Sequence, residues 1–173
     1  MDRCAECAGR RLAFAHARSA VEYDSPVRRI VGAWKERGLR GLAAWAAAVL
    51  VDALPPADAP VTFVPADRDR RLRRGHHSAE ALARELAAAW NLPVAPLLVR
   101  ARGSPRQREL TRDQRRRNVA AAFAARPGVP ARVVLVDDVY TTGATANAAA
   151  SALRQAGARR VEVVTFARTI RLR

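Results

Sequence analysis

Lysine is almost missing from this chain. Of its 31 cationic side chains, Lys35 is the sole lysine and every other is arginine. Cysteine is limited to Cys4 and Cys7, which excludes a disulfide framework for a core neither residue reaches. Aromatic residues make up only 5% of the chain, and none falls between Arg100 and Asn118, so a single-strand nucleic-acid binder built on stacking lacks its platforms. No apolar run is long enough to span a bilayer and the N-terminus does not resemble a signal peptide, which predicts a cytoplasmic protein with no membrane span. There is no Gly-Lys-Ser/Thr ending a Walker loop and no G-x-G-x-x-G. Repeats and low-complexity linkers are also missing, so 173 residues predict one well-cored domain with at most a small appendage.

What is present is alanine, arginine and a net charge of +15. The bias suggests a GC-rich coding sequence as well as anion binding, and it predicts attraction to polyanions at low salt without specificity. The sharpest local pattern is R-V-V-L-V-D-D-V-Y-T-T-G-A-T-A, from Arg132 to Ala146. Val133 to Val136 are consecutive apolar residues, three of them β-branched, as suits a strand buried on both faces of a parallel sheet. Asp137 and Asp138 end that apolar run, and a helix is expected from Ala146 to Ala156. The turn between them carries Thr141, Thr142, Gly143, Ala144 and Thr145. Backbone N–H groups and the positive end of a helix dipole make such a turn a cradle for phosphate. Adjacent carboxylates are suited to accept hydrogen bonds from vicinal hydroxyls or to hold a divalent cation through water. A ribose 5-phosphate fits that spacing.

The rest of the chain supplies further strands and cations. Ser19 to Tyr23 is a candidate strand; Asp24-Ser25-Pro26 then caps a helix that presents Val27, Ile30, Val31 and Trp34 on one face and stops at Gly38. The ordinary reading of Lys35 on that helix is a solvated side chain, the alternative a contact to an anionic ligand. A second helix is expected from about Leu39 to Asp52. Strands are expected at Val61 to Val64, Pro93 to Val99 and Val161 to Phe166, with a helix capped by Ser78 between the first two. Five arginines lie between Arg68 and Arg74, after the Val61 strand, and form a candidate second anion site. Eight lie between Arg100 and Asn118, where Gly103, Ser104 and Pro105 mark a flexible tip; this reads as a lid or as a basic nucleic-acid-binding arm. Alternating strands and helices give an α/β fold, a parallel Rossmann-like sheet of four or five strands flanked by helices with a flexible lid loop. Cys4 and Cys7 have the two-residue spacing of zinc ligands but are half of a site; His16, a conceivable third ligand, reads ordinarily as exposed.

The Asp137 to Thr145 stretch resembles the binding loop for phosphoribosyl pyrophosphate (PRPP) in the type I phosphoribosyltransferases. Beyond the loop, the order of features is similar to that of the competence-associated ComF family: Cys4 and Cys7, Tyr23, Lys35 and Gly38, Pro65, Arg74-Gly75, Leu98 and Arg100, Gln107, then Arg115, Asn118, Val119, Ala122 and Phe123, and finally Gly157-Ala158. The resemblance implies residues 1–18 as the remnant of a cysteine-rich, zinc-finger-like N-terminus and residues 19–173 as a phosphoribosyltransferase domain. It departs where the family has Phe-Asn-Gln and this chain has His76-His77-Ser78. Those histidines read as surface turn residues, or else as pH-sensitive phosphate contacts.

The resemblance further implies an enzyme transferring a phosphoribosyl group from PRPP, with Mg2+, to an acceptor the sequence does not name. Asp137 and Asp138 are the expected catalytic carboxylates and the residues that meet Mg2+. Tyr140, Thr141, Thr142, Gly143, Ala144 and Thr145 are expected at the 5-phosphate. Asp67, Arg68, Arg74 and Arg100, with Arg70 and Arg71 as further candidates, are expected at the pyrophosphate. Zn2+ would rest on Cys4 and Cys7. Expected partners are PRPP, a nucleobase, single-stranded DNA or DNA-processing proteins, and a second copy of the chain in a homodimer. The alternative is a non-catalytic PRPP or nucleotide sensor in DNA uptake or repair.

Overall fold

The computed structural model describes residues 11–39, 41–66, 76–101 and 122–170. Four strands form one all-parallel sheet: β1 (His16–Glu22), β2 (Val61–Phe63), β5 (Arg132–Tyr140) and β6 (Arg160–Arg168), in the order β1-β6-β5-β2. The helices are α1 (Ser25–Arg37), α2 (Gly41–Ala53), α3 (Ser78–Ala89) and α4 (Ala144–Gln155). A separate antiparallel ribbon pairs β3 (Leu98–Arg100) with β4 (Phe123–Ala125).

The pleat of β5 divides the core. Val134 and Val136 face one apolar cluster, formed with α1, α2 and α3, while Val133 and Leu135 face another with α4, Phe14, Leu98 and Phe123. All four are essentially fully buried, as the unbroken apolar run predicted. The Asp24 carboxylate accepts the Val27 N–H at 2.9 Å and Pro26 sits in the first turn of α1, which ends at Gly38 with φ 64°.

Several boundaries differ from expectation. β1 begins at His16 rather than Ser19, and Phe14 lies in the core, so residues 11–18 pack with the main domain. His16 is accordingly not exposed on a loose stretch: its Nε2 lies 3.3 Å from Glu162 on β6, and burial holds its pKa below the usual value. Pro93 to Val99 does not make a full sheet strand. Val94 forms a single parallel bridge to Val61, and the chain then leaves the sheet for the β3–β4 ribbon. β5 runs past the aspartates to Tyr140, because β6 continues alongside it and pairs Asp137 with Thr165 and Tyr140 with Arg168. Cys4, Cys7, Asp67 to Arg74 and Arg102 to Asn118 lie outside the described residues.

Candidate functional site

A cleft of about 370 Å³ opens at the C-terminal edge of the sheet, where α/β folds place ligands. β5 contributes Asp137, Asp138 and Val139, the following turn contributes Thr141, and the first turn of α4 contributes Thr145. Arg100, at the end of β3, closes another side; its Nε donates to the Pro65 carbonyl at 3.2 Å and its guanidinium stacks 5.0 Å from the Phe123 ring. The carboxylates, the two threonines and Arg100 are thus brought into one space.

The turn between β5 and α4 is shaped from below. Gly143 has φ 72° and caps the start of α4, and a side chain there would collide with the Tyr140 hydroxyl and ring. Tyr140 itself is 5% exposed and packs edge-on against Phe14, so its ring is the floor of the loop rather than part of the cleft wall. The Ala144 N–H reaches the Thr142 hydroxyl at 3.4 Å across the turn. Thr142, Gly143 and Ala144 shape the loop, while Thr141 and Thr145 face the opening.

The two carboxylates are held differently. Asp138 is 7% exposed; its Oδ1 accepts from the Lys35 ammonium at 2.7 Å and its Oδ2 from the Ser78 hydroxyl at 2.5 Å. Asp137 is half-buried, and its Oδ1 accepts the backbone N–H of Asp138 at 2.9 Å. Burial first, and the adjacent Asp138 second, push the Asp137 pKa from its ordinary 3.8 up to about 8, against the pull of that N–H, Lys35 and Arg100.

Three readings change here. Lys35 is not a solvated helix lysine; it lines the cleft and is bound to Asp138. Ser78 does not cap its helix: His77 occupies the cap position without a side-chain cap bond, and the serine hydroxyl goes to Asp138 instead. His76 and His77 are not ordinary surface turn residues. The His76 Nε2 lies 2.7 Å from the Trp34 carbonyl, while His77 packs edge-on against Phe63 and its Nδ1 is 3.6 Å from Glu80. Burial holds the His77 pKa below the usual imidazole value, against the upward pull of Glu80. Both histidines and Tyr23 line the cleft. The Arg-Gly-His-His-Ser context was visible in sequence, but the contacts to Trp34 and Asp138, 42 and 60 residues away, were not.

Among the described residues no cluster of three or more His, Cys, Asp or Glu side chains is arranged to hold a metal, and no helix is long and apolar enough to cross a membrane. The donor set does suit magnesium, which keeps much of its water and takes one or two carboxylates together with substrate phosphates. Asp137 is the carboxylate with capacity for it, since both oxygens of Asp138 already accept hydrogen bonds from the protein.

With this geometry in place, three comparisons bear on it. Residues 72–172 match the family model described as the phosphoribosyl transferase domain. The chain is 35% identical over 120 residues to Competence protein F of Haemophilus influenzae, covering 66% of this chain and 51% of that one. It is 33% identical over 115 residues to the DNA utilization protein YhgH of Salmonella typhi, covering 64% and 49%. The chain therefore spans about half the length of the curated relatives it matches. Among solved structures, the allosteric regulatory enzyme of purine biosynthesis superposes with a TM-score of 0.51 at 25% identity, over 73% of this chain and 25% of that one.

Proposed function

Because the chain belongs to the phosphoribosyl transferase family, in its competence-associated ComF branch, we propose that the cleft binds PRPP with Mg2+ and transfers the phosphoribosyl group to an acceptor. The observation that carries this reading is the meeting, in one cleft, of the Asp137–Asp138 pair, Thr141 and Thr145 from either side of the Gly143 cap of α4, and Arg100. Thr141, Thr145 and the backbone N–H groups opening α4 take the 5-phosphate. Asp137 accepts hydrogen bonds from the ribose hydroxyls, and Asp138 fixes the local field. Bound magnesium supplies charge neutralisation at the pyrophosphate.

In the transfer, pyrophosphate leaves the anomeric carbon with the bonding electron pair, and an acceptor nucleophile takes its place through an oxocarbenium-like state. Arg100 lines the cleft and is the candidate to stabilise the leaving charge; Asp67, Arg68, Arg70, Arg71 and Arg74, which lie outside the described residues, are the further candidates for the pyrophosphate. The cytoplasm is the expected compartment, as PRPP is an intracellular metabolite. Cys4 and Cys7 remain candidates for Zn2+, in a cysteine-rich N-terminal segment ahead of the transferase domain. A nucleobase acceptor, single-stranded DNA or DNA-processing proteins and a homodimer remain candidate partners.

The test is calorimetric titration of PRPP with and without magnesium into the wild type and the Asp137→Asn/Asp138→Asn variant at moderate salt, followed by pyrophosphate release across a panel of bases. Magnesium-dependent binding lost in the variant supports the site, and release with one base names the acceptor. No binding overturns the reading. Binding without turnover points instead to a sensor, which the names of the relatives and the charge of +15 favour as the second reading.

A further inference from the structure

The sole lysine of an arginine-rich chain sits in its cleft. Where exposure alone mattered, this sequence uses arginine for its cationic side chains, so an ammonium retained at position 35 calls for a reason that arginine does not meet. The geometry supplies one. The Asp138 carboxylate lies in a gap between the last turn of α1, which carries Lys35, and the first residue of α3, Ser78. Its two oxygens are taken at 2.7 Å and 2.5 Å by one group from each helix. A compact ammonium fits such a gap, whereas a planar guanidinium is broader and its fork favours both oxygens of one carboxylate. Ser78 completes the arrangement by giving its hydroxyl to the carboxylate instead of capping its own helix.

We propose that Lys35 is a positioning residue: with Ser78 it clamps Asp138 between α1 and α3, fixing the two helices against β5 and leaving Asp137 as the carboxylate that meets the ligand. A buried carboxylate with unsatisfied oxygens is costly, so the clamp satisfies both Asp138 oxygens without recruiting water or ligand. The second half of the inference rests on the ribose-phosphate reading above; the clamp itself does not.

Two measurements on the full chain separate them. Acylation of Lys35 by N-hydroxysuccinimidyl acetate, mapped by peptide mass, reads one internal site because the chain has one lysine. Asp138→Asn is expected to speed that labelling several-fold and Ser78→Ala to speed it less; a rate unchanged in both overturns the clamp. In calorimetry, Lys35→Met is expected to weaken magnesium-PRPP binding about tenfold or more. Adding Asp138→Asn to it should cost little further, and Lys35→Arg should restore the charge without the affinity. Independent effects of the two substitutions, or full rescue by arginine, overturn the positioning role. If Lys35→Met fails to fold, Ser78→Ala carries the binding arm, with wild-type affinity as the overturning result. If the wild type binds no PRPP while labelling still responds to Asp138→Asn, the clamp stands and the ribose-phosphate reading falls.

Discussion

The two ends of the central sheet handle acidic side chains in opposite ways. At the N-terminal edge, a second cleft of about 290 Å³ contains Asp58 and Glu162. Each has its own cation: Arg132 makes two hydrogen bonds to Asp58, at 2.6 Å and 2.8 Å, and Arg160 lies 2.6 Å from Glu162, which His16 also approaches. At the C-terminal edge, two carboxylates adjacent in sequence stand beside one ammonium, and one of them is pushed up to about 8. Charges cancel at one end and are left in tension at the other. Perturbed groups collected in a cleft mark functional sites, and among the described residues the C-terminal cleft holds Asp137 and His77 beside the turn that opens α4.

The sharpest break of this contrast is by substitution of the acids. Asp137→Asn/Asp138→Asn should reduce magnesium-PRPP affinity by at least about a hundredfold, since the carboxyl group offered to the ligand and the clamp on its neighbour are both lost. Asp58→Asn, read in the same titration, should leave it unchanged. The two glycines that flank β5 sharpen the contrast in the backbone. Gly143→Ala forces φ 72° on a side chain that also meets Tyr140, and should cost about 2–3 kcal/mol in thermal or denaturant unfolding. Gly128, before β5, has φ 82° but open space around it, so alanine there should cost only about 1 kcal/mol.

The pH dependence of stability gives a third test. Asp137 titrates higher when folded than when unfolded, so between about 4 and 8 the folded state holds a proton that the unfolded state has released. Its contribution therefore favours the folded state less as pH rises through that window. Asp137→Asn should flatten that fall and raise the unfolding midpoint at pH 7 while damaging binding, the trade expected of a carboxylate kept for function. The smallest effect is expected at the exposed Asp58–Arg132 pair, where Asp58→Asn should change stability by about 0.5 kcal/mol or less.

These contrasts also show which parts of the molecule sequence could reveal. β5 and its turn were legible because their signal is local: an unbroken apolar run, two acids, then threonines and glycine within fifteen residues. The Asp24 cap and the Gly38 stop were legible for the same reason. The clamp was not, because it joins residues 103 and 60 positions apart, and no local rule says that Ser78 will abandon its cap for a distant carboxylate. His16 was misread because an arginine- and alanine-rich stretch resembles a solvated one until a neighbouring strand supplies Glu162. The β3–β4 ribbon escaped notice because each strand has three residues and the second is Phe-Ala-Ala, which carries no alternation to count.

The strand order has a consequence for how the chain is made. β6, which lies between β1 and β5, is the last of the described strands to leave the ribosome, and the Ser19 hydroxyl bonds to Thr165 from 146 residues away. At about 5–20 residues per second, β1 waits roughly 7–30 s for its sheet neighbour among the described strands. During that interval it is an unpaired strand able to join another nascent chain. His16, Arg18 and Glu22 along it are the kind of side chains that discourage such edge-to-edge pairing.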